Sequence, residues 1–277
     1  MSNSFYGTLF IVSTPIGNLS EASPRVIDTL KSVDIIACED TRNTLKLLTH
    51  FDIHTPMVAY HNFNEDEESL KLIEQLESGK NIALVSDAGY PLISDPGYTL
   101  VNRLASRDIK ISVISGPNAA VNALVASGLD TMHYLFYGFL NSKQSKARIE
   151  LEGLKNFPYT MIFYEAPHRI NKTLALMLEV LGERNICVAR ELTKLHEEFL
   201  RGRISELKDH EYRGELVIVV EGCKCEKKEI DIEEIYAEID EDVKDGMKVK
   251  EAVKKVCDIY SLKKNDVYNG YLKSRKI

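Results

Sequence analysis

The stretch NIALVSDAGYPLISDPG, residues 81–97, joins an unbroken apolar run, Ile82 to Val85, to a loop dense in turn formers: Asp87, Gly89, Pro91, Asp95 and Gly97. A short apolar run bounded in this way predicts a strand buried on both faces, as in parallel α/β sheets. In such sheets ligands bind beyond the carboxyl ends of the strands, where exposed backbone and short polar side chains reach a small molecule. Asp95 and Pro96 read as the N-cap and first residue of the next helix. That reading gives Asp87-Ala88-Gly89 no structural task, so the tripeptide is assigned to a ligand loop.

The same rhythm runs through the first half of the chain. TLFIVST (8–14), DIIACED (34–40) and KISVISG (110–116) are further β-branched runs, separated by helical segments such as SPRVIDTLKS and EDEESLKLIEQLESG. Helix starts are signalled by Ser23 before Pro24, by Asp95 before Pro96, and by Gly116-Pro117 ahead of NAAVNALVASG. After Gly128 the strands become aromatic: YLFYGFL (134–140), YTMIFYEA (159–166), NICVARE (185–191) and GELVIVVEG (214–222). The spacing from Phe199–Arg203 to Gly214–Val220 looks like a hairpin and predicts a partly antiparallel second sheet, with PHRINKTLALMLEVLG as an amphipathic helix upon it. A charged linker over 224–229 leads to three helical segments resembling a helix-turn-helix module with a basic last helix. The predicted organisation is an N-terminal α/β domain over 1–120, a second α/β domain over 121–223 and a basic helical module over 230–277.

Composition bounds the class. With 44% hydrophobic and 28% charged residues the 277-residue chain reads as soluble and globular. It has no apolar run near the roughly 20 residues of a membrane span. Its first 15 residues lack the pattern of a secretory signal, so a cytoplasmic location is expected. Five scattered cysteines fit reduced thiols, and the Cys223-Lys224-Cys225 pair has no second pair or histidine nearby, so no metal is expected. The net charge of −7 hides an asymmetry. Residues 248–277 hold nine Lys or Arg against three acids, a net of +6 that leaves −13 on residues 1–247. A basic segment on an acidic body suits a catalytic body with a separate polyanion-gripping module.

Several chemistries are excluded by their motifs. STPIGN after the first strand has one glycine where a dinucleotide fold needs three, and no Walker-type phosphate loop occurs. His196-Glu197-Glu198 lacks the second histidine of a zinc protease, and Pro117 breaks any nucleophile elbow at Ser115. What remains is a set of strand-end loops that together look like one cleft: 13–18, 39–42, 87–91 and 115–117.

These loops, with two runs further on, carry a resemblance. TPIGNL, CEDTR, SDAGYPLISDPG, SGPNA, FYEAPHR and ARELTKLHEEF, in that order and spacing across residues 8–222, resemble the ribosomal RNA small subunit methyltransferase I family, cytidine 2′-O-methyltransferases of 16S ribosomal RNA. That family lies within the tetrapyrrole-methylase fold, so the resemblance implies two α/β domains with S-adenosylmethionine bound in a cleft between them, and a homodimer. Tyr90 is a departure, standing where a small residue such as threonine is expected. The resemblance implies cofactor contacts from Asp87, Ala88, Gly89 and Tyr90, from Ser115 and Gly116, and from Phe163 and Tyr164. It implies an RNA-facing set of Pro15, Gly17, Asn18, Glu39, Asp40, Arg42, Glu165, His168, Arg169 and Glu197, with 16S ribosomal RNA or the small subunit as partner.

Methylating a ribose hydroxyl calls for a proton acceptor, either a lysine with a lowered pKa or a carboxylate with a raised one. In ARELTKLHE (189–197), Arg190, Glu191 and Lys194 fall within reach of one another, and Lys194 with Glu191 is the expected catalytic pair, with Arg190 or Arg169 on the phosphate. Two alternatives share parts of the pattern. A tetrapyrrole methylase would use the same fold and leave the basic tail without a task, and a non-catalytic ribosome-associated RNA-binding protein would use the tail and leave the loops unexplained.

Overall fold

A computed structural model describes residues 6–224, 232–260 and 262–275. The chain divides into two compact units, 1–223 and 224–277. In the first unit the elements run β1 (Thr8–Val12), α1 (Pro24–Ser32), β2 (Ile35–Cys38), α2 (Thr41–His50), β3 (Met57–Ala59), α3 (Glu65–Glu77), β4 (Ile82–Val85), α4 (Tyr98–Leu104), β5 (Lys110–Ile114) and α5 (Ala119–Ser127). They continue as β6 (Tyr134–Phe139), α6 (Gln144–Leu154), β7 (Thr160–Glu165), α7 (Ile170–Leu181), β8 (Asn185–Arg190), β9 (Glu198–Arg203), α8 (Ile204–Leu207) and β10 (Leu216–Val220).

The first five strands form one parallel sheet in the order β3-β2-β4-β1-β5. Its central strands are apolar on both faces because both faces are covered. Leu9, Ala37, Ile82 and Leu84 pack against α3 and α4, whereas Val12, Ile36, Ala83 and Val85 pack against α1 and α2. Strand β3, the apolar triplet Met57-Val58-Ala59, is half-exposed and too short for its pattern to announce a strand.

The second sheet, in the order β6-β7-β10-β8-β9, is mixed: only β6 and β7 run parallel. The expected hairpin from β9 to β10 does not form. β9 pairs with β8, and β10 lies between β7 and β8. The burial of each strand explains the exchange. LVIVV of β10 is buried at every position and takes the centre, whereas β9, with no fully buried residue, takes the edge. Helices α6 and α7 cover one face of this sheet and α5 covers the other, where Ala120, Ala123 and Leu124 meet Ile162, Cys187, Ala189 and Val217.

The second unit holds α9 (Ile232–Lys244), α10 (Val249–Tyr260) and α11 (Lys264–Ser274) around a core of Ile235, Ile239, Val253, Val256, Val267 and Tyr271. Cys225, one half of the C-x-C pair, and most of the expected linker lie outside the described residues.

Candidate functional site

Parallel strands place their carboxyl ends on one edge, and hydrogen bonds join the four loops there. Thr14 and Gly89 exchange backbone bonds of 2.9 and 3.0 Å, an isolated antiparallel bridge between the loops after β1 and β4. The Thr14 hydroxyl donates to the Ser86 carbonyl at 3.2 Å, and the Ser13 hydroxyl to the Pro117 carbonyl at 3.0 Å. The Asp87 carboxylate accepts the Asp40 backbone N–H at 3.2 Å through one oxygen and the Asn43 amide at 2.8 Å through the other. The Tyr90 hydroxyl accepts the Gly116 N–H at 3.2 Å. The one departure from the expected loop sequence thus ties the 86–97 loop to the loop after β5.

Between this edge and the second sheet lies a cavity of about 440 Å³, inside the roughly 300–1,000 Å³ typical of small-molecule sites. Asp87, Ala88, Gly89 and Tyr90 line it from the first sheet and Tyr164 from the second. Phe163 does not line it. Side chains alternate across a strand, so with Tyr164 facing the cavity Phe163 faces α6 and α7, where it is fully buried. Ser115 and Gly116 are also absent from the wall, which is built at that point by Asn118 and Ala119. Ile16, Leu192 and Val217 add apolar wall that the loop motifs did not signal, because these residues also belong to the core beneath α5.

Asp95 is the largest omission, and its reading as a helix cap is overturned. Helix α4 begins at Tyr98 with Gly97 at the N-cap position, and the cap is supplied from a distance. A Glu65 carboxylate oxygen on α3 accepts the N–H groups of Gly97 and Thr99, both at 3.0 Å, together with the Tyr60 hydroxyl at 3.1 Å. Asp95 is left in the cavity wall. Holding it there takes backbone that L residues avoid, with Leu92 at φ 71° and Ser94 at φ 69°. Burial, with the Glu39 and Asp87 carboxylates nearby, pushes the Asp95 carboxyl up to about 7, against the opposite pull of Ser86.

The remaining expected residues fall into two groups. On the first sheet's rim, Pro15 lies beside Asp87, while Asn18 caps the short 3₁₀ turn Leu19–Glu21 through its side chain. Glu39 is pushed upward by burial and by Asp87 and Asp40. Asp40 caps α2 and pairs with the exposed Arg42 at 2.7 Å; its hydrogen bonds to Arg42 hold it down at about 2. On the second sheet's rim, Glu165 is buried and fully engaged. One oxygen accepts the Ala166 N–H at 2.8 Å and faces Arg169 Nε at 3.4 Å, and the other accepts the Thr173 hydroxyl at 2.5 Å. Arg169 also donates to the Leu140 and Asn141 carbonyls at 3.2 and 3.3 Å, so its guanidinium is committed to the fold and is a poor phosphate ligand. His168 is exposed in the adjoining turn, and Glu197 accepts the Thr193 N–H at 2.7 Å.

Arg190, Glu191 and Lys194 are gathered in one loop, but not in the charge states expected of a base. Lys194 Nζ lies 3.0 Å from Glu191 and 3.2 Å from Glu215. Burial alone would lower the ammonium's pKa, yet the two carboxylates outweigh it and hold Lys194 above its ordinary value. Glu191 is held below its ordinary value, first by the Glu215 N–H and also by Lys194, against the upward pull of burial. Both members are therefore charged at neutral pH, and the expectation of a lowered lysine or raised carboxylate at this pair is corrected. Arg190 pairs with Glu198 at 3.1 Å. The pair is packed from both sides: a Cβ on Gly17 would lie 2.6 Å from Lys194 Cγ, and one on Gly214 would lie 2.3 Å from Glu191 Oε1.

Comparison with known proteins agrees with this architecture. Residues 8–208 match the family model of tetrapyrrole (corrin/porphyrin) methylases. The chain is similar to ribosomal RNA small subunit methyltransferase I of Bacillus subtilis (strain 168), 48% identical over 96% of this chain and 94% of that protein. It is 45% identical, over the same shares, to the protein of that name from Halalkalibacterium halodurans. Among solved structures it resembles uroporphyrin-III C-methyltransferase from Thermus thermophilus complexed with S-adenosylhomocysteine, with a TM-score of 0.55, 15% identity, and coverage of 78% of this chain and 97% of that one. That likeness speaks for the fold alone.

Proposed function

We propose a function on one premise: the chain belongs to the tetrapyrrole (corrin/porphyrin) methylases and, within them, to the ribosomal RNA small subunit methyltransferase I family. From it we infer that the protein transfers a methyl group from S-adenosylmethionine to 16S ribosomal RNA of the small subunit, at the 2′-hydroxyl of a cytidine. The observation that carries the reading is the cavity between the two sheets, with its mixed lining. Ile16, Leu192 and Val217 suit an adenine ring, and Asp87, Asp95, Glu165 and Glu215 place negative charge around a ligand that bears a sulfonium and an ammonium. The cofactor, when bound, supplies an electrophilic methyl group.

The chain's own residues supply position. Asp87 fixes the loop after β2 against the loop after β4, and the Thr14–Gly89 bridge fixes the loop after β1, so the wall is set before any ligand arrives. A cavity lined by carboxylates repels phosphates, so the RNA backbone must be held at the rim and beyond. Arg42, with its side chain 86% exposed on the loop after β2, is a rim cation that suits this task. The exposed lysines of α10 and α11 are the further candidates. We assign the active form as a homodimer acting in the cytoplasm; no described helix is long and apolar enough to cross a membrane.

Incubation of the protein with radiolabelled S-adenosylmethionine and purified small subunits, followed by mass-spectrometric mapping of the ribosomal RNA, tests the reading. One 2′-O-methylated cytidine is expected. Label in a base, or in no nucleotide at all, overturns it.

A further inference from the structure

Strand β6 is irregular, and the irregularity decides which way one aromatic ring points. Phe136 pairs with Ile162 on β7, and the next pairs are Gly138 with Phe163 and Phe139 with Tyr164, so Tyr137 is an extra residue with none opposite it. A bulge of this kind reverses the alternation of the side chains beyond it. Phe136 lies on the α5 side, its ring centroid 5.0 Å from that of Tyr164, and Tyr137 lies on the α6 and α7 side, 5.3 Å from Phe163. In an unbroken strand Phe139 would follow Tyr137 onto that helix-covered face. With the bulge it joins Tyr164 instead: the two rings meet edge to face with centroids 5.6 Å apart, and both line the cavity.

Both sheets accommodate the bulge. Gly138 sits at φ 82°, where glycine is favoured, and a Cβ there would lie 3.2 Å from the hydroxyl of Ser94, itself at φ 69° in the loop after β4. The first sheet's loop is thus fitted against the backbone that a side chain would cover. The bulge delivers a phenyl ring that is 55% exposed, although burying it would be favourable. The apolar residues of the wall divide by depth. Ile16, Leu192 and Val217 are buried and belong also to the core beneath α5, whereas Phe139 and Ile93 are exposed, where the cavity opens to solvent.

We infer that Phe139 stacks on the base of the nucleotide whose ribose is methylated and so positions the 2′-hydroxyl at the cavity, an assignment that rests on the ribose-methylation reading above. The charge of the wall selects the base over the phosphate. The carboxylates of Asp87, Glu165 and Glu215 repel phosphate, so the part of the nucleotide that enters is the uncharged ribose, and its base comes with it. A base drawn out of its helix loses its stacking neighbours, and proteins that bind unstacked bases replace those neighbours with aromatic rings. Depth divides the ligands between the two apolar surfaces. The buried wall of Ile16, Leu192 and Val217 is left to the cofactor's adenine, and the exposed ring of Phe139 meets the ligand that arrives from solvent. Tyr164, edge-on to Phe139, holds the orientation of that ring. Stacking fixes the plane of the base and not its identity, so Phe139 is a positioning residue for whichever base stands at the target.

The test compares the wild-type protein with Phe139→Ala, Phe139→Leu and Phe139→Tyr. The measurements are single-turnover methylation over a range of small-subunit and salt concentrations, calorimetric affinity for S-adenosylmethionine, and thermal melting. In Phe139→Ala the maximal rate divided by the half-saturating subunit concentration is expected to fall about 5- to 150-fold, the equivalent of the roughly 1–3 kcal/mol of one base–aromatic stack. Its cofactor affinity stays within about threefold, far below the loss expected of a cofactor contact. Its salt slope is unchanged, because no phosphate contact is lost. Phe139→Tyr keeps the ring and most of the rate, and Phe139→Leu, apolar without a ring, behaves like Phe139→Ala. The Tyr–Leu comparison also decides the matter if Phe139→Ala melts well below wild type. An active wild-type protein whose Phe139→Ala variant keeps its rate overturns the assignment and leaves the function reading intact. Phe139→Leu as active as Phe139→Tyr overturns it in favour of plain apolar cover, and a loss of cofactor affinity as large as the loss of rate overturns it in favour of a cofactor wall. Wild-type protein inactive on small subunits refutes the function reading itself, and the assignment with it.

Discussion

Replacing Glu65 with glutamine probes the device that frees Asp95. In the native protein one carboxylate oxygen accepts three bonds, from Gly97 N–H, Thr99 N–H and the Tyr60 hydroxyl, at the amino end of α4. Glutamine keeps the shape and one acceptor oxygen but loses the charge. Charge-assisted bonds are worth roughly 1.5–3 kcal/mol against about 1 for neutral ones, and the favourable helix-terminus interaction adds about 0.3–1 kcal/mol. With the three bonds sharing a single acceptor, the loss comes to about 2 kcal/mol rather than to the sum of three separate bonds. At roughly 2–4 °C per kcal/mol for a unit of this size, the melting temperature falls by about 4–8 °C.

The effect has a pH signature. Burial alone would raise the Glu65 carboxyl, but the Thr99 and Gly97 N–H groups and the Tyr60 hydroxyl hold it below its ordinary value. A depressed folded-state pKa means the carboxylate's contribution is complete above the unfolded value, near 4.3, and is lost as pH falls through the lower folded value. Urea unfolding of wild type and Glu65→Gln, at pH 7 and at progressively lower pH, measures this directly. The difference is expected to be full down to about pH 5 and to shrink below it. A variant as stable as wild type at pH 7, or a deficit that does not shrink in acid, refutes the capping argument.

Other outcomes follow from contacts already described. Gly214→Ala drives a methyl group onto the Glu191 carboxylate and strains a residue at φ 78°; stability should fall by about 1–3 kcal/mol, and methylation with it, as read by calorimetry and single-turnover rates. Arg169→Lys keeps the charge but not the fork that reaches Glu165 and two carbonyls; a loss of about 1–3 kcal/mol, with RNA affinity within about twofold, is expected from denaturation and filter binding. Truncation after Lys224 removes the compact helical unit; cofactor affinity by calorimetry should stay near normal, while RNA affinity falls and its salt slope becomes shallower.

The fold was legible where a residue's local pattern and its final environment agree. Ile82 to Val85 is apolar throughout because helices cover both faces, and Ser23 before Pro24 caps α1 as its sequence announces. Reading failed where a distant group overrode a local signal. Asp95 has every mark of an N-cap, and nothing near it in sequence says that Glu65, thirty residues earlier, takes the task. The β9–β10 hairpin failed because nearness in sequence competes with burial, and a strand of five buried residues is more stable at the sheet centre. Phe163 and Tyr164 could not both face one cavity, and the period-two alternation of a strand decides between them only once the cavity's side is known.

The charge asymmetry also changes meaning when it is divided by structural unit. The net +6 of residues 248–277 is cancelled within its own unit, because residues 224–247 carry ten acids against four bases. Part of that cancellation is direct. Lys255 pairs with Asp242 at 2.7 Å, and Arg275 pairs with Asp240 at 2.7 Å. The unit is thus close to neutral in sum and not a cationic block. RNA would meet it by the α10 and α11 surface, where Lys250, Lys254, Lys263, Lys264 and Lys273 are exposed, and be repelled from the acidic α9 surface. Reversing the sign at Lys254 and Lys263 should therefore reduce RNA affinity and the salt slope, whereas neutralising Glu234 and Glu241 on α9 should raise affinity for unrelated RNA and lower the preference for the small subunit. Equal salt slopes in both variants would show that the lysine-bearing surface is not the one that meets RNA.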